Sequence, residues 1–591
     1  MRRIKKQLGA TVRRGGVTFR VWAPFATRVD VVGTFTHDPI AMDREDGGYW
    51  STAVAHAEPG HIYQYKITTA DGHELYRNDP RARQLTATEN GQSVIVANDF
   101  DWGDDIFVPI PREQQVIYEM HIGTFARPDA STAGTFDTAI ERLDYLQDLG
   151  INMIELMPVT SMGYSQGWGY NPRDLFSIEN ALGGRHGLMT FVRACHDRSI
   201  GVIIDVVYNH LFSETLWQFD GWTSDPAKGG IYFYNDWRSD TPFGARPDYG
   251  RPEVRQFILD NVAMWFHEFR VDGLRVDSTI YMRNTEGRDS DPAHDIADAW
   301  SLLSSITELS HRIRPGAMMI AEDCAATDFI TKPTDHSGCG FDAQWGLGFP
   351  HALRDTLGLT YGVPAQLTTL IDELLHRYND DAFQKIIFAD SHDTAANGSV
   401  RLNEAADPNG GDNLSAQQRL LTASAVTLTA PGVPMLLQGQ EFLQEGEFND
   451  WQALEWDKVE KHAGIVSAHK HLISLRLNEY GNTAGLLGQN CAIFHHNDHD
   501  KVLGYHRWQH GGAGDDTLVL VNFGGGNFSE YIVHLPLSGT WYIRFNSAWS
   551  GYSEQFGDYV VEAVTTDPTG MATISLPPHV VLVLSQDPLR T

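Results

Sequence analysis

Acidic, basic and histidine side chains close several apolar segments in the middle of this sequence. These residues are Asp205 with Asn209 and His210, Arg275 with Asp277, Glu322 with Asp323, and His392 with Asp393. A charged group buried beside apolar strands is costly unless it is paired or has a function. Taken singly, each has a structural explanation, such as a turn cap or an ion pair. Their recurrence at matching ends of separate strands instead predicts one shared site.

The chemistry that these side chains fit is cleavage of a glycosidic bond. That reaction needs a carboxylic acid to protonate the leaving oxygen and a carboxylate to attack or stabilise the sugar cation. Arg275 lies two residues before Asp277 on the same strand face, so its fixed charge is expected to keep Asp277 ionised for attack. Glu322 follows the apolar run MMIA, so desolvation is expected to keep it protonated as the acid.

Three further residues are candidates for holding the sugar. Asp393 and His392 are expected to bind sugar hydroxyls. Tyr170, in the segment GWGYNP, offers a ring face on which a pyranose could stack, although an aromatic residue in a glycine-rich loop is as often a packing anchor.

The elements that must position these residues alternate along the chain. Apolar runs of strand length are separated by longer amphipathic segments such as 138–150, 251–269 and 416–430, which is typical of parallel strands linked by helices. The strand candidates are VIYEMHI, MIELMPV, VIIDVVY, GLRVDST, MMIAEDC, FDAQW, KIIFAD and VPMLLQG. Eight such strands close a (β/α)8 TIM barrel, in which the carboxyl ends of the strands meet at one face. The long segments after the third and fourth candidates are expected to carry the site.

The two ends of the chain have a different pattern of short alternating strands broken by turn residues, which is typical of β-sandwiches. In residues 17–98 the strand candidates are VTFRVWAP, RVDVVGTF, IYQYKI and SVIVAN, and further short strands follow residue 485. The α/β fold is therefore predicted as an N-terminal β-sandwich at 1–108, a catalytic barrel at 109–485 and a C-terminal β-sandwich domain at 486–591.

Composition limits the partners and the location. The chain of 591 residues has 45 Lys and Arg against 76 Asp and Glu, and its net charge of −31 would repel nucleic acid and anionic membranes. Four dispersed cysteines favour a reducing compartment, and the basic start lacks the apolar stretch of a signal peptide. We therefore expect a cytoplasmic protein that binds neither nucleic acid nor membrane, and the sequence leaves its oligomeric state open.

Four of the segments resemble, in order, the signature regions of the α-amylase family, glycoside hydrolase family 13. They are DVVYNH at 205–210, GLRVDST at 273–279, IAEDC at 320–324 and FADSHD at 388–393. The resemblance implies retention of anomeric configuration, with Asp277 as nucleophile, Glu322 as general acid/base and Asp393 as transition-state stabiliser. It places Tyr170, Asp205, His210, Arg275 and His392 around the sugar that is cleaved. A single Asn in DVVYNH does not make a calcium site, so no metal or other cofactor is expected.

Other segments narrow the resemblance to two kinds of enzyme. VTFRVWAPFATRVDVVG is similar to family 48 carbohydrate-binding modules, while YEMHIGTF, ELMPV and GWGYNP are similar to both glycogen branching enzymes and maltooligosyltrehalose trehalohydrolases. QGQEFLQEGEFNDWQALEWD and SHDTAANGSVRL are closer to branching enzymes. The main hypothesis is therefore a 1,4-α-glucan branching enzyme acting on a glycogen-like or amylose-like substrate. The alternative is a trehalohydrolase, followed by another amylase-type hydrolase or a non-catalytic glucan-binding protein.

Overall fold

The computed structural model describes residues 7–87, 91–162, 167–211, 214–289, 291–407, 409–557 and 562–588. The first six residues of the basic N-terminal segment lie outside these ranges.

Eight parallel strands in the described part of the chain close into a barrel. They are Ile117–Met120, Met153–Leu156, Gly201–Val206, Gly273–Val276, Met318–Ala321, Ala343–Trp345, Lys385–Phe388 and Val433–Leu437. The first strand pairs with both the second and the eighth, which closes the ring. Every residue of these strands is buried, as the apolar runs require when helices cover the outside of a barrel. Seven of them lie within the segments predicted from the sequence, and the third begins one residue before its segment, at Gly201.

Helices connect the barrel strands. The α-helices are Ile122–Phe125, Phe136–Ile140, Leu143–Leu149, Gly184–His196, Pro252–Glu268, Thr279–Arg283, Ala297–Ile313, Asp328–Thr331, Gly348–Thr356, Leu367–Leu375, Leu402–Ala406, Leu414–Thr429, Lys458–Lys461 and Ala463–Arg476. Segment 138–150, predicted as one helix, is instead divided at Glu141 and Arg142. At this break the Arg142 guanidinium packs on Trp456, 4.5 Å from the ring centre. The described helices include none that is long and apolar enough to cross a membrane.

The N-terminal region forms two antiparallel sheets. One contains Gly9–Arg13, Gly16–Trp22, Asp43–Arg44 and Tyr49–Val54, and the other contains Arg28–Gly33, Ile40–Ala41, Ile62–Thr68, Glu74–Arg77 and Ser93–Val94. Buried side chains of both sheets belong to one apolar cluster that continues into the barrel. The predicted β-sandwich is present. Sequence reasoning missed several of its strands, and segment 93–98 contributes a strand of just two residues.

The C-terminal region is also all-β, as predicted. A six-stranded sheet contains Asn490–Asn497, Val502–Trp508, Thr517–Asn522, Thr540–Asn546, Ala563–Thr565 and Val580–Ser585, and Phe528–His534 pairs with Met571–Leu576. Arg507 connects this domain to the barrel: its buried guanidinium donates a 2.6 Å hydrogen bond to the carbonyl of Thr429. That contact places the domain against a barrel helix rather than at the carboxyl ends of the strands.

The N-terminal domain holds the long segment that follows the third barrel strand. The Phe25 amide donates to Asp220 Oδ2 at 2.9 Å, and Arg77 donates to the carbonyl of Phe219 at 3.2 Å. Trp222 stacks on Phe25 with ring centres 4.8 Å apart. This segment therefore has support from a second domain as it passes the open end of the barrel.

Candidate active site

Arg275 joins the carboxylates that end three barrel strands. Its Nη1 donates to Asp205 Oδ2 at 2.8 Å and to Asp277 Oδ1 at 2.7 Å, and its Nη2 lies 3.0 Å from Glu322 Oε2. The guanidinium is fully buried. Burial disfavours its charge, but Asp205 and Glu322, once they are ionised, overcome this effect and hold the pKa of Arg275 well above its usual value. The site therefore has a permanent positive charge at its centre.

Asp277 is held by donors on both of its oxygens. Arg275 donates to Oδ1, while the side-chain nitrogen of Asn209 donates to Oδ2 at 2.6 Å and to the Asp277 carbonyl at 3.0 Å. The Asn209 oxygen lies 2.6 Å from His210 Nδ1, so the chain of donors requires a proton on that nitrogen. An acceptor-only carboxylate suits this arrangement, and its orientation is fixed before substrate arrives.

Glu322 lies beside Asp277 and holds its proton more strongly than an exposed glutamate does. Burial raises the pKa of Glu322 to about 8; Arg275 opposes the shift, and the negative charges of Asp277 and Asp393 add to it. A pKa of about 8 keeps the carboxyl group mostly protonated at neutral pH, and burial is the main cause of the shift. A protonated carboxyl group beside an aspartate whose two oxygens both accept hydrogen bonds suits the acid and nucleophile roles.

The backbone after Asp277 helps to position Glu322. Ser278 adopts the left-handed conformation, with φ of 41°, and its amide donates to Glu322 Oε2 at 2.9 Å. Such a conformation costs a residue other than glycine about 1–3 kcal/mol. The Thr279 hydroxyl has one proton to donate and lies within hydrogen-bond distance of two acceptors, the Glu322 carbonyl at 2.8 Å and Asp323 Oδ2 at 2.9 Å. The fourth and fifth barrel strands are thus joined just above their ends, where the two acids lie.

His392 is placed between two carboxylates. Its Nδ1 lies 2.5 Å from Glu119 Oε1, its amide donates to Glu119 Oε2 at 2.9 Å, and its Nε2 lies 3.4 Å from Asp393 Oδ1. Although burial disfavours a charged ring, the Asp393 and Glu119 carboxylates raise the pKa of His392 to about 10. Unlike Asp277 and Glu322, the Asp393 side chain is 44% exposed, so it faces the open side of the site.

Tyr170 lies against the same group. Its ring stacks on His392 with centres 5.2 Å apart, and its hydroxyl donates to Asp205 Oδ2 at 2.6 Å. Burial raises the pKa of Asp205 to about 7, against the opposing charge of Arg275. Asp205 Oδ1 and His210 Nε2 are buried and have no hydrogen-bond partner among the described residues. All eight residues selected from the sequence therefore meet at one end of the barrel, directly or through a shared neighbour.

Sequence reasoning missed Glu119 and Glu155, which are neighbours in the register of the first two strands. Both are buried, and burial holds the pKa of Glu155 well above its usual value. The available signal was a single acidic residue inside an otherwise apolar strand, the same signal that identified Asp205. Groups of three or more His, Cys, Asp or Glu side chains suited to a metal ion were absent from the described ranges.

Family models match almost the whole chain. Residues 120–248 and 218–474 match the model described as alpha amylase, catalytic domain. Residues 7–82 match carbohydrate-binding module 48, the isoamylase N-terminal domain, and residues 493–587 match the alpha amylase C-terminal all-beta domain. The three matches follow the order of the three regions of the structure.

Curated relatives include enzymes of two kinds. The chain is 29% identical to the 1,4-alpha-glucan branching enzyme GlgB of Corynebacterium jeikeium (strain K411), over 97% of this chain and 82% of that protein. It is 30% identical to the malto-oligosyltrehalose trehalohydrolase of Saccharolobus solfataricus, over 74% of this chain and 76% of that protein. A GlgB of Bacillus cereus (strain G9842) is 29% identical over 92% of this chain and 84% of that protein.

Solved structures share the fold at lower identity. A putative alpha amylase from Salmonella typhimurium superposes with a TM-score of 0.74 at 22% identity, covering 99% of this chain and 100% of that one. A pullulanase from Anoxybacillus sp. LM18-11, complexed with maltotetraose, gives a TM-score of 0.77 at 20% identity, covering 98% and 87%. With the catalytic-domain match and the trehalohydrolase relative, these results show that the chain belongs to the α-amylase family, glycoside hydrolase family 13, and is a glycoside hydrolase or transferase enzyme.

Proposed function

We propose that this enzyme is a 1,4-α-glucan branching enzyme, which cuts an α-1,4 link and rejoins the released chain through an α-1,6 link. The observation that carries the proposal is the similarity to GlgB enzymes over nearly the whole chain. The geometry supports it, because one guanidinium contacts a carboxylate held by two donors and a carboxyl group that is protonated at neutral pH. A cytoplasmic location is part of the proposal and is supported by the four cysteines, all of which are free thiols.

The proposed reaction has two displacement steps. Asp277 attacks the anomeric carbon while Glu322 gives its proton to the departing glycosidic oxygen, which leaves a glycosyl ester on Asp277. Glu322, now a carboxylate, then takes the proton from the 6-hydroxyl of an acceptor chain as that oxygen attacks the anomeric carbon. The ester breaks, Asp277 returns to its carboxylate form, and the two inversions give net retention of the α-configuration.

The other site residues hold the sugar in this proposal. Asp393, open to solvent, accepts hydrogen bonds from sugar hydroxyls, and protonated His392 donates to one. Asp205 Oδ1 is buried without a partner, so a sugar hydroxyl can donate to it without displacing a protein contact, and a second hydroxyl pairs with His210 Nε2. The Tyr170 ring lies beside these two residues, and Arg275 holds the carboxyl groups of Asp205, Asp277 and Glu322 in fixed positions relative to one another.

Product analysis with amylose tests branching directly. The iodine colour is expected to fall while few new reducing ends appear, because transfer forms one bond for each one broken. Isoamylase should then release short chains from the product. A rise of reducing ends in step with the loss of colour would instead show hydrolysis, and the Asp277→Asn variant is the matched control for contaminating activity.

The trehalohydrolase is the second candidate, because a relative of that name is 30% identical. It predicts no action on plain amylose and release of free trehalose from maltooligosyltrehalose. That pair of results would replace branching as the function while leaving the two-step chemistry of Asp277 and Glu322 unchanged.

The pH dependence of the reaction should show the ionisation of Glu322. We expect kcat/KM on amylose to fall as pH rises through about 8, because Glu322 above its pKa has no proton for the departing oxygen. A pH series in constant ionic strength measures this limb. An α-glucosyl fluoride serves as the control, since fluoride leaves without a proton and its bond cleavage should not decline there. An unchanged rate on amylose up to pH 10 would contradict the acid role.

A further inference from the structure

A short hairpin in the segment after the third barrel strand lies over the candidate site. The Thr241 amide donates to the Gly244 carbonyl at 3.0 Å, and the Gly244 amide donates back to Thr241 Oγ1 at 3.0 Å. Leu211, the residue after His210, donates its amide to the carbonyl of Ala245 at 3.0 Å. The turn is therefore fixed at its tip and tied to the end of the DVVYNH segment.

The turn approaches His210 closely. A Cβ atom on Gly244 would lie 3.1 Å from His210 Cδ2, tighter than an ordinary van der Waals contact. Glycine at this position allows the backbone to pass directly above the imidazole. The residue before it, Phe243, is thereby placed at the rim of the site.

The Phe243 ring is fixed on two sides and open on the rest. Its centre lies 5.6 Å from that of His210 at an interplanar angle of 41°, and 5.4 Å from that of Tyr281 in an edge contact at 88°. The residue is nevertheless 50% exposed. Gly287 closes the other side of Tyr281, since a Cβ there would lie 2.4 Å from the Tyr281 ring. A large apolar ring therefore has aromatic contacts on two sides at this rim while half of the residue stays exposed.

Such a ring suits a ligand with an apolar face. Removing an exposed phenyl group from water by covering it with an apolar surface is favourable. A ring that already has contacts on two sides also loses little conformational entropy on binding. The axial C–H groups of an α-linked glucose unit form such a surface. The ring is also continuous with the site, because it contacts His210, which contacts Asn209, which holds Asp277.

We propose that Phe243 is a platform for the glucose unit adjacent to the one bonded to Asp277, and that it sets the affinity for the glucan chain. The proposal rests on the α-glucan activity proposed above. Phe243 is a binding residue and not a catalytic one, because its ring has no group to transfer a proton or form a bond. A flat face is the property that matters, and a branched aliphatic side chain of similar size lacks it.

Binding of maltoheptaose to the Asp277→Asn enzyme, followed by calorimetry, measures this role without turnover. Adding Phe243→Ala or Phe243→Leu should raise Kd roughly fivefold to tenfold, as loss of about half the burial of an aromatic ring implies. Adding Phe243→Tyr should leave Kd within about twofold, because the flat face remains. In the active enzyme the same Ala and Leu changes should raise KM much more than they lower kcat.

The series separates binding from packing. Leucine fills the space beside His210, so if Phe243 only packs against the imidazole, Phe243→Leu will bind as tightly as the parent and the proposal is wrong. Tyr361→Ala, which removes a fully exposed aromatic ring far along the chain, is the matched control and should leave Kd unchanged. Melting curves for every variant check that the fold is retained. If the parent itself fails to bind maltoheptaose, the α-glucan function is overturned and this inference with it. If the Asp277→Asn parent binds maltoheptaose tightly and the Phe243 variants have the same Kd, then only the proposed role of Phe243 is wrong.

Discussion

Replacing Asp277 by Asn is expected to lower turnover on amylose by roughly four to six orders of magnitude, because it removes the nucleophile that makes the covalent route possible. An amide oxygen is a far weaker nucleophile than a carboxylate and leaves no stable ester. Steady-state rates by iodine colour, with enzyme concentrations raised to detect residual activity, measure the loss. Near-normal turnover would contradict the nucleophile assignment.

The same change should destabilise the fold only moderately. Arg275 keeps its contacts with Asp205 and Glu322, so the buried guanidinium retains two carboxyl partners. The new amide will turn its oxygen toward Arg275, which leaves its amino group facing the donor nitrogen of Asn209. We therefore expect a lower Tm without loss of the cooperative transition. Asp516→Asn, at a buried acid paired with His506 in the C-terminal domain, is the control that should affect stability but not turnover.

Chemical rescue gives the assignment a second and sharper test. In Asp277→Ala the space of the carboxylate is open, and added azide is expected to attack an α-glucosyl fluoride from that side. The product should be the inverted β-glucosyl azide, since one displacement replaces two. An α-linked azide, or no dependence of the rate on azide, would place the nucleophile elsewhere.

The barrel and the main acids could be predicted because both depend on local patterns. Each barrel strand is a short apolar run, and a polar residue that closes such a run points to the open end whichever helix follows. The same logic fails for the N-terminal strands Gly9–Arg13 and Tyr49–Val54, where small and polar residues interrupt the alternation. Their pairing with Gly16–Trp22 fixes them as strands, and that information is not local.

The parts of the site that escaped prediction are those that depend on distant contacts. Glu119 contacts His392 across 273 positions of the chain, and nothing in YEMHI alone indicates that partner. The left-handed backbone of Ser278 is equally hidden, because its cost is offset by the hydrogen bond that the Ser278 amide donates to Glu322, at the end of the next strand. Phe243 lies in a polar loop, where its exposure and its contact with His210 depend on how that loop folds over the barrel.

Replacing Glu322 by Gln is the second change with a large expected effect, and its signature is selectivity. Turnover on amylose should fall by roughly three to five orders of magnitude, because an amide cannot protonate the departing oxygen. Cleavage of an α-glucosyl fluoride should be largely spared, since fluoride needs no proton to leave. Parallel rates on the two substrates measure the difference. Equal losses on both would mean that Glu322 shapes the site without serving as its acid.

The pH dependence of the Tm of Glu322→Gln tests the protonation of Glu322 independently of catalysis. The folded pKa of about 8 lies above the ordinary value of 4.5, so the folded protein keeps a proton that the unfolded chain releases. The stability that this carboxyl contributes is therefore fully present below about pH 4.5 and is lost as pH rises through about 8. The variant has no such proton to lose, so its Tm relative to wild type should rise between pH 5 and about 8 and then level off. A constant difference in Tm across this range would show that Glu322 is not held protonated in the free enzyme. Its proton would then have to be retained by an effect of the bound substrate.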